Sequence, residues 1–183
     1  MHVALFVSMS LLLIARWSHL ALTCLHRRSG GLPASSLQER DWPAVGLGLA
    51  YGIALVGWLL QWLPATQFSE FRALPALGFL AIGVFLRLAG QSALGPAFSW
   101  YWAPTSTFLV RKGIYRWLKH PLLLGYFMET AALVLASVFP SWLCGLLIGG
   151  TACVTMIQAV GEERRLEMKF GQDWRAFAAG KWV

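Results

Sequence analysis

The sequence predicts an all-α integral membrane protein with about five transmembrane helices. Three observations lead to this fold class: the composition, the lengths of the apolar segments and the distribution of positive charge. Hydrophobic residues make up 57% of the 183-residue chain and charged residues only 13%, and the mean hydropathy is +0.59. A soluble domain carries about 25% charged residues, so the composition excludes an ordinary soluble protein.

Five apolar segments have about the length that a helix needs to cross the hydrocarbon core of a bilayer, roughly 20 residues. They are Val3 to Cys24, Ala44 to Leu63, Ala73 to Leu94, Leu122 to Val138, and Trp142 to Val160. The first begins without a basic region and no small-residue cleavage site follows it, so we expect a retained span and not a signal peptide. We expect the whole chain, residues 1–183, to form one membrane domain.

Polar, glycine and proline residues separate the five segments. A basic and glycine-containing stretch at 27–31 ends the first segment, and Pro64 ends the second. Phe139, Pro140 and Ser141 allow only a tight turn between the fourth and fifth segments. The last two spans are therefore predicted to form an antiparallel helical hairpin.

Positive charge predicts the orientation, because cytoplasmic loops of membrane proteins are enriched in Lys and Arg. In a five-span arrangement, twelve of the fifteen basic residues fall on one side. They are Arg27, Arg28, Arg40, Arg111, Lys112, Arg116, Lys119, Arg164, Arg165, Lys169, Arg175 and Lys181. The N-terminus is then outside and the C-terminus cytoplasmic, in the plasma or inner membrane if the source is bacterial. The net charge of +7 favours anionic membrane lipids as partners, and we expect no nucleic acid.

The loop before the fourth segment carries the strongest candidate site. Pro121 disfavours a helical conformation at His120 and suits the first position of a helix, so the fourth span should begin at Pro121 with His120 at its mouth. The unpaired N–H groups of that helix end, with Arg116, Lys119 and His120 beside them, form a site suited to a carboxylate or phosphate. Alternatively, the loop cations only anchor the loop to lipid headgroups.

A second polar patch follows the fifth segment, where Glu162 and Glu163 lie among basic residues. Spacing alone favours a solvated helix end, because Glu163 and Glu167 are one turn apart and Arg164 and Arg165 balance their charge.

Apolar residues recur at helical spacing beyond this patch, at Leu166, Phe170, Trp174 and Phe177. This spacing predicts a short amphipathic C-terminal helix that lies on the inner surface of the membrane.

These stretches together resemble a known family. Residues 109–121 (LVRKGIYRWLKHP), Gly125, the helical hairpin, Glu162 with Glu163, and residues 170–177 (FGQDWRAF) follow one another in that order. The series is similar to the isoprenylcysteine carboxyl methyltransferase family and its broader relatives among membrane phospholipid methyltransferases, over roughly Leu94 to Phe177. The resemblance implies a methyltransferase-like core at 94–183, preceded by N-terminal helices 1 to 3 at 1–93.

The resemblance also implies S-adenosylmethionine as cofactor, bound at the cytoplasmic ends of the last two long helices, and a lipophilic acceptor that enters from the bilayer. It assigns cofactor binding to Tyr115, His120, the backbone after Pro121, and Glu162 or Glu163. Lys119, Leu122 and Gly125 complete the predicted cofactor site, and our catalytic candidates are Glu163, Gln158 and Glu129. The chemistry agrees, because the helix mouth and His120 suit the cofactor carboxylate, and Glu163 suits its ammonium and ribose hydroxyls. No metal ion is expected.

The chain departs from the family pattern at three positions. Leu123 stands where the family usually has tyrosine, Gln158 where it has arginine, and Glu129 where it commonly has an aromatic residue. Arginine can pair with an acceptor carboxylate, whereas Gln158 offers only neutral hydrogen bonds. We therefore expect a hydroxyl, phenol, thiol or amine as acceptor in preference to a carboxylate. Such acceptors must lose a proton, for which Glu129 is a candidate general base.

Depth suggests a second role for Glu129. It lies nine residues beyond His120 and hence about 13 Å into the bilayer, which is deep for a cofactor bound at the surface. Arg16, His19 and Arg87 fall at comparable depths when counted from their own cytoplasmic helix ends. Because intramembrane charges face the bundle interior and find a partner, we expect a structural ion pair, with Arg16 as the first candidate, ahead of a substrate-headgroup pocket.

Two other functions stay open. His19, His26 and His120 would be the ligands of a membrane haem- or quinone-binding subunit, although His19 and His26 share one helix face about two turns apart, which suits neither two-sided haem ligation nor a tight metal site. A catalytically inactive scaffold of the same fold would also fit the altered family positions. The sequence specifies neither the acceptor nor the oligomeric state.

Overall fold

The computed structural model describes residues 7–15, 18, 42–60, 70–95 and 109–181, and all regular elements in these ranges are helical. Residues 7–15 belong to the first helix, α1. The other helices are α2 (Trp42–Leu59), α3 (Glu70–Leu94), α4 (Pro121–Leu135), α5 (Ser141–Phe170) and α6 (Gln172–Ala178), with a 3-10 turn at Gly113–Arg116 before α4. The predicted all-α class is confirmed.

Two of these helices, α3 over Arg72–Leu94 and α5, are long and apolar enough to cross a membrane. Shorter apolar helices lie at Val45–Leu59 in α2 and at Pro121–Leu135, and the 15 residues of α4 span about 22 Å. Much of the first predicted span lies outside the described residues. The five-span count and its orientation therefore stay predictions.

The helices α3 and α4 cross at close range, and two glycines make this possible. A Cβ at Gly83 would lie 2.8 Å from both the Gly125 carbonyl oxygen and the Glu129 nitrogen. A Cβ at Gly125 would lie 2.6 Å from Cγ of Arg87 and 2.8 Å from the Gly83 carbonyl oxygen. Small residues let helix backbones approach closely inside a membrane. This crossing fixes the end of α3 against the start of α4.

The predicted helical hairpin is present, and Arg72 holds its turn. The Arg72 guanidinium donates to the Phe139 carbonyl oxygen at 3.1 Å and to Ser141 Oγ at 2.5 Å. The Val138 N–H also donates to the Gly57 carbonyl oxygen at the end of α2, at 3.5 Å. Because α4 and α5 are antiparallel, the start of α4 and the end of α5 lie at the same end of the bundle, opposite this turn.

A buried apolar core joins the helices, and apolar side chains also cover much of the outside. The core contains Met9, Leu13, Tyr51, Ala54, Trp58, Ala76, Leu80, Val84, Ala132, Leu133, Val134, Ala136 and Cys144. On the outer faces, Leu49 of α2 and Leu146 of α5 are 64% and 65% exposed. Such surfaces are costly in water and suited to hydrocarbon, which supports a membrane location.

Candidate active site

The start of α4 follows the local sequence. His120 is the N-cap residue with φ −126° and ψ 57°, outside the helical region, and Pro121 occupies the first turn. The first backbone hydrogen bond of the helix runs from the Leu124 N–H to the His120 carbonyl oxygen at 3.0 Å. The amides of Leu122 and Leu123 precede this bond, so they are the free donors of the helix end.

Two carboxylates from α5 bind His120. Its Nδ1 lies 3.2 Å from Glu162 Oε2, and its Nε2 lies 3.3 Å from Glu163 Oε1. Lys119 Nζ donates to the same Glu163 oxygen at 2.7 Å. The His120 side chain is almost fully buried, whereas both glutamates are about one-third exposed. Two cations and two carboxylates thus form one compact cluster, which we call the His–Glu cluster (Lys119, His120, Glu162 and Glu163).

The His–Glu cluster favours a charged imidazole. Burial by itself lowers the pKa of His120, but its hydrogen bonds to Glu162 and Glu163 and the charges of these carboxylates outweigh burial, so the pKa rises above the ordinary value of 6.5. Both ring nitrogens face carboxylate oxygens, which accept hydrogen bonds, and only the doubly protonated ring donates from both nitrogens.

The length of α5 allows these carboxylates to lie outside the hydrocarbon core of a membrane. Its 30 residues extend about 45 Å, roughly 15 Å more than the hydrocarbon core. The C-terminal turns of α5, which carry Glu162 and Glu163, therefore project beyond the apolar span that begins at Ser141. The carboxylates can remain ionised there and still reach the start of α4.

Tyr115 lies in the 3-10 turn that leads to the cluster. The turn begins at Gly113, whose φ of +61° is the left-handed conformation that favours glycine. Burial, followed by the charge of Glu162, raises the pKa of the Tyr115 phenol well above its usual range. The phenol therefore stays protonated and can donate a hydrogen bond near Glu162.

The C-terminal helix α6 covers His120. The indole ring of Trp174 lies 6.3 Å from the imidazole ring, centroid to centroid, and both Trp174 and Phe177 are buried. We expected these two residues to face the membrane surface; the structure instead packs them inward, against the site. The helix is amphipathic as predicted, but its apolar face is already covered by protein.

The remaining predicted site residues fall in three environments. Pro121 and Leu122 pack against α3, where a Cβ at Gly90 would meet Leu122 Cδ2 at 2.9 Å. Gly125 faces α3 at the close crossing. Gln158 is buried and lies four residues before Glu162, so it occupies the same face of α5 about 6 Å deeper.

Glu129 lies deep in the bundle and pairs with Arg87. The Arg87 Nη1 to Glu129 Oε2 distance is 3.4 Å, and the two side chains are 12% and 1% exposed. The guanidinium also lies 5.1 Å from the ring centroid of Tyr126. Arg16, the expected partner, lies outside the described residues. The observed pair supports a structural role for Glu129, with Arg87 as a partner that the sequence placed at comparable depth.

Sequence reasoning assigned no site role to three residues around the site. The sequence around Arg87 could have indicated the pair. Gly83 precedes Arg87 by four residues, as Gly125 precedes Glu129, and residues four apart lie on the same face of their own helix. Trp174 appeared only as part of an amphipathic pattern. Lys181, which donates to the Tyr115 carbonyl oxygen at 3.0 Å, had no local signal.

Comparison with protein families gives one match and thereby a family assignment. Residues 71–173 match the family model of phospholipid methyltransferases. Searches of curated proteins and of solved structures found no significant match. The matched range covers more than half of the chain, from the start of α3 into α6, and includes the whole His–Glu cluster. The chain therefore belongs to the phospholipid methyltransferase family, among the membrane methyltransferases related to isoprenylcysteine carboxyl methyltransferase.

Proposed function

We propose that this protein transfers a methyl group from S-adenosylmethionine to a lipophilic acceptor in the membrane. The observation that carries the proposal is the His–Glu cluster, in which residues 42 to 44 positions apart meet at the free amides of α4. The amino-acid end of the cofactor is a zwitterion, and the cluster offers charged partners for both of its groups.

Each residue has a role in this proposal. Lys119 and the amides of Leu122 and Leu123 hold the cofactor carboxylate, and the positive charge of His120 attracts it. Because both ring nitrogens of His120 contact Glu162 and Glu163, a direct hydrogen bond from His120 to the cofactor requires one of these contacts to give way. Glu162 and Glu163 hold the ammonium group and the ribose hydroxyls, and the protonated Tyr115 donates to a cofactor oxygen. Pro121 and Gly125 act through the backbone, by starting α4 and by setting its distance from α3.

The cofactor supplies a methyl group already activated by its sulfonium, so the protein must align the acceptor in line with that carbon and exclude water. Gln158, buried one turn below Glu162, is placed to orient the acceptor through a neutral hydrogen bond. The family name fits a lipid acceptor, and the absence of an arginine at 158 favours a hydroxyl, phenol, thiol or amine over a carboxylate.

We further propose that the chain forms one membrane domain with five spans and a cytoplasmic site. Support comes from the gathering of charge at the end of the bundle that holds the His–Glu cluster. Arg111, Arg116, Arg164, Arg165 and Lys169 all belong to that end, either before α4 or in the last turns of α5. The positive-inside rule places such an end in the cytoplasm.

Two measurements test the function. Cells with and without the protein are fed labelled methionine, and labelled lipids are compared by mass spectrometry; the absence of any new labelled lipid contradicts the transferase proposal. Calorimetric binding of S-adenosylhomocysteine to wild type and to His120→Ala then tests the site. We expect affinity to fall about tenfold or more, ~1.4 kcal/mol, and unchanged affinity in a folded variant contradicts the assignment.

The same samples address the alternatives. A visible absorption spectrum with a haem band would identify a haem-binding subunit, while a protein that neither binds S-adenosylhomocysteine nor labels lipid would be an inactive scaffold. Among the described residues, no group of three or more His, Cys, Asp or Glu side chains could hold a metal ion.

A further inference from the structure

The helix α6 lies over one face of His120, where the Trp174 ring lies 6.3 Å from the imidazole ring, centroid to centroid. A single residue, Gly171, separates α6 from α5 and has φ +52° and ψ −120°, a conformation that favours glycine. A Cβ built at Gly171 would meet no atom within 4 Å. Glycine is therefore favoured there by its backbone conformation and not by lack of space, and a glycine can absorb the dihedral change that a hinge requires.

Exposed ion pairs attach α6 on its outer side. Within the C-terminal region, Arg175 Nε donates to Glu167 Oε1 of α5 at 2.6 Å, with side chains 70% and 44% exposed. Arg111 Nη2 donates to Asp173 Oδ1 at 3.0 Å and to the Asp173 carbonyl oxygen at 3.2 Å, and these side chains are 50% and 75% exposed. Exposed ion pairs of this kind contribute little stability. Lys181 closes the other end by donating to the Tyr115 carbonyl oxygen at 3.0 Å, with its Nζ 3.2 Å from the Phe177 ring centroid.

The inner face of α6 suits two environments. Trp174 and Phe177 are buried against the site when α6 is docked. Aromatic residues are also favoured in the headgroup region of a membrane, where amphipathic helices bind by their apolar face. The end of the bundle that holds the His–Glu cluster lies beyond the hydrocarbon, next to that region, so an undocked α6 would find a second place for its apolar face nearby.

We propose that α6 is a lid that swings about Gly171 to admit and release the cofactor, with Trp174 and Phe177 over the His–Glu cluster when the lid is closed and in the lipid headgroup region when it is open. The Arg111–Asp173 pair is the latch. The proposal rests on the proposed cofactor site. It explains why a helix with a membrane-binding pattern packs on protein, and why His120 is almost fully buried in a site that must exchange a large polar molecule.

A reversible tether tests the lid. Arg111→Cys and Asp173→Cys are combined in a variant whose native cysteines, Cys24, Cys144 and Cys153, are replaced by alanine. The two new thiols are joined by a short crosslinker that binds through disulfides. In phosphatidylcholine nanodiscs, tethering should slow the release of preloaded, labelled S-adenosylhomocysteine about tenfold or more, ~1.4 kcal/mol in the barrier, and reductant should restore it.

The control is the Arg111→Cys single variant, labelled with the same reagent, which should release the ligand at the untethered rate. Equal release rates with and without the tether would overturn the lid.

Hydrogen exchange without any ligand separates this proposal from the proposed function. The amides of residues 172–181 should exchange faster in Arg111→Ala than in wild type, while Lys112→Ala, an exposed neighbour, should leave them unchanged. If S-adenosylhomocysteine binds no variant but Arg111 still controls this exchange, the cofactor assignment is wrong and the lid stands. If the ligand binds and neither exchange nor release depends on Arg111, the lid is wrong and the cofactor site stands.

Discussion

His120 shows how one buried residue can depend on several distant ones. Its position as the N-cap residue of α4 follows from Pro121, which begins the helix. Its protonated state is favoured by Glu162 and Glu163, which lie on another helix. An uncompensated buried charge would be strongly unfavourable. The two carboxylates and Lys119 make the cluster close to neutral, which lets it stay charged at a membrane boundary.

The first prediction compares two glutamates on one helix. Glu163→Gln removes the charge that Lys119 and His120 both contact, so affinity for S-adenosylhomocysteine should fall about tenfold, ~1.4 kcal/mol. Glu167 pairs instead with Arg175 at 2.6 Å, and both side chains are largely exposed. Glu167→Gln should therefore change affinity little. Calorimetry on both variants makes the test, and equal losses would favour the solvated-helix interpretation of this patch.

The second prediction concerns pH. The pKa of His120 is raised above 6.5 in the folded protein, so its charged contacts with Glu162 and Glu163 stabilise the fold fully below 6.5, and this stabilisation is lost as pH rises through the higher folded pKa. Thermal unfolding of wild type and His120→Gln should therefore differ most below pH 6.5 and converge as the pH rises above it. A difference that grows with pH would contradict the charged imidazole.

At the scale of helices, the crossing of α3 and α4 sets the geometry of the site. Gly83 and Gly125 let the helices meet, and one turn beyond each glycine stands a member of the Arg87–Glu129 pair. The crossing thereby sets both the register of α4 and the place where its N-terminus meets α5.

The third prediction tests that close approach. A Cβ at Gly83 would lie 2.8 Å from backbone atoms of α4, whereas one at Gly78, on the same helix, would meet nothing within 4 Å. Gly83→Ala should lower the free energy of unfolding by about 1–3 kcal/mol, the usual cost of overpacking. Gly78→Ala should be neutral or stabilise by up to about 1 kcal/mol. Thermal unfolding in detergent measures both, and a neutral Gly83→Ala would show that the crossing adjusts freely.

The fourth prediction concerns the Arg87–Glu129 pair. Removing one member leaves a buried charge, so Glu129→Gln should destabilise the fold by about 3–5 kcal/mol. Replacing both residues by apolar ones, as in Arg87→Met with Glu129→Leu, should recover much of that loss. Unfolding measurements are paired with kinetics, because a substrate or base role for Glu129 predicts instead a stable single variant with a raised KM or a lowered kcat.

At the scale of the whole molecule, the two ends of the bundle differ in structure and polarity. One end is closed by Arg72 over the hairpin turn, while the other gathers the 3-10 turn, the start of α4, the end of α5 and α6. Charged and polar side chains are concentrated at the second end, and apolar side chains cover the sides of the bundle. Under the proposed function, a water-soluble cofactor and a lipid acceptor approach one site from different phases.

The fifth prediction concerns acceptor choice. If an arginine at position 158 is what a carboxylate acceptor requires, the wild-type protein should methylate a lipid hydroxyl, phenol, thiol or amine in preference to a farnesylated cysteine analogue. Gln158→Arg should then fail to improve, or should lower, activity on the native acceptor. Methyl transfer to a panel of lipid nucleophiles provides the measurement. Efficient methylation of the farnesylated analogue, with no activity on the others, would overturn this inference.

The sequence by itself determined the all-helical class, the helical hairpin, the start of α4 at Pro121 and the resemblance that the family match confirmed. These properties depend on composition and on near neighbours along the chain, where a proline or a run of apolar residues acts locally. Only the tertiary structure decided that His120 binds Glu162 and Glu163, that Glu129 pairs with Arg87, and that Trp174 covers the site instead of facing lipid. Such contacts depend on the register and distance of packed helices, which the glycine crossing sets and which no local pattern encodes.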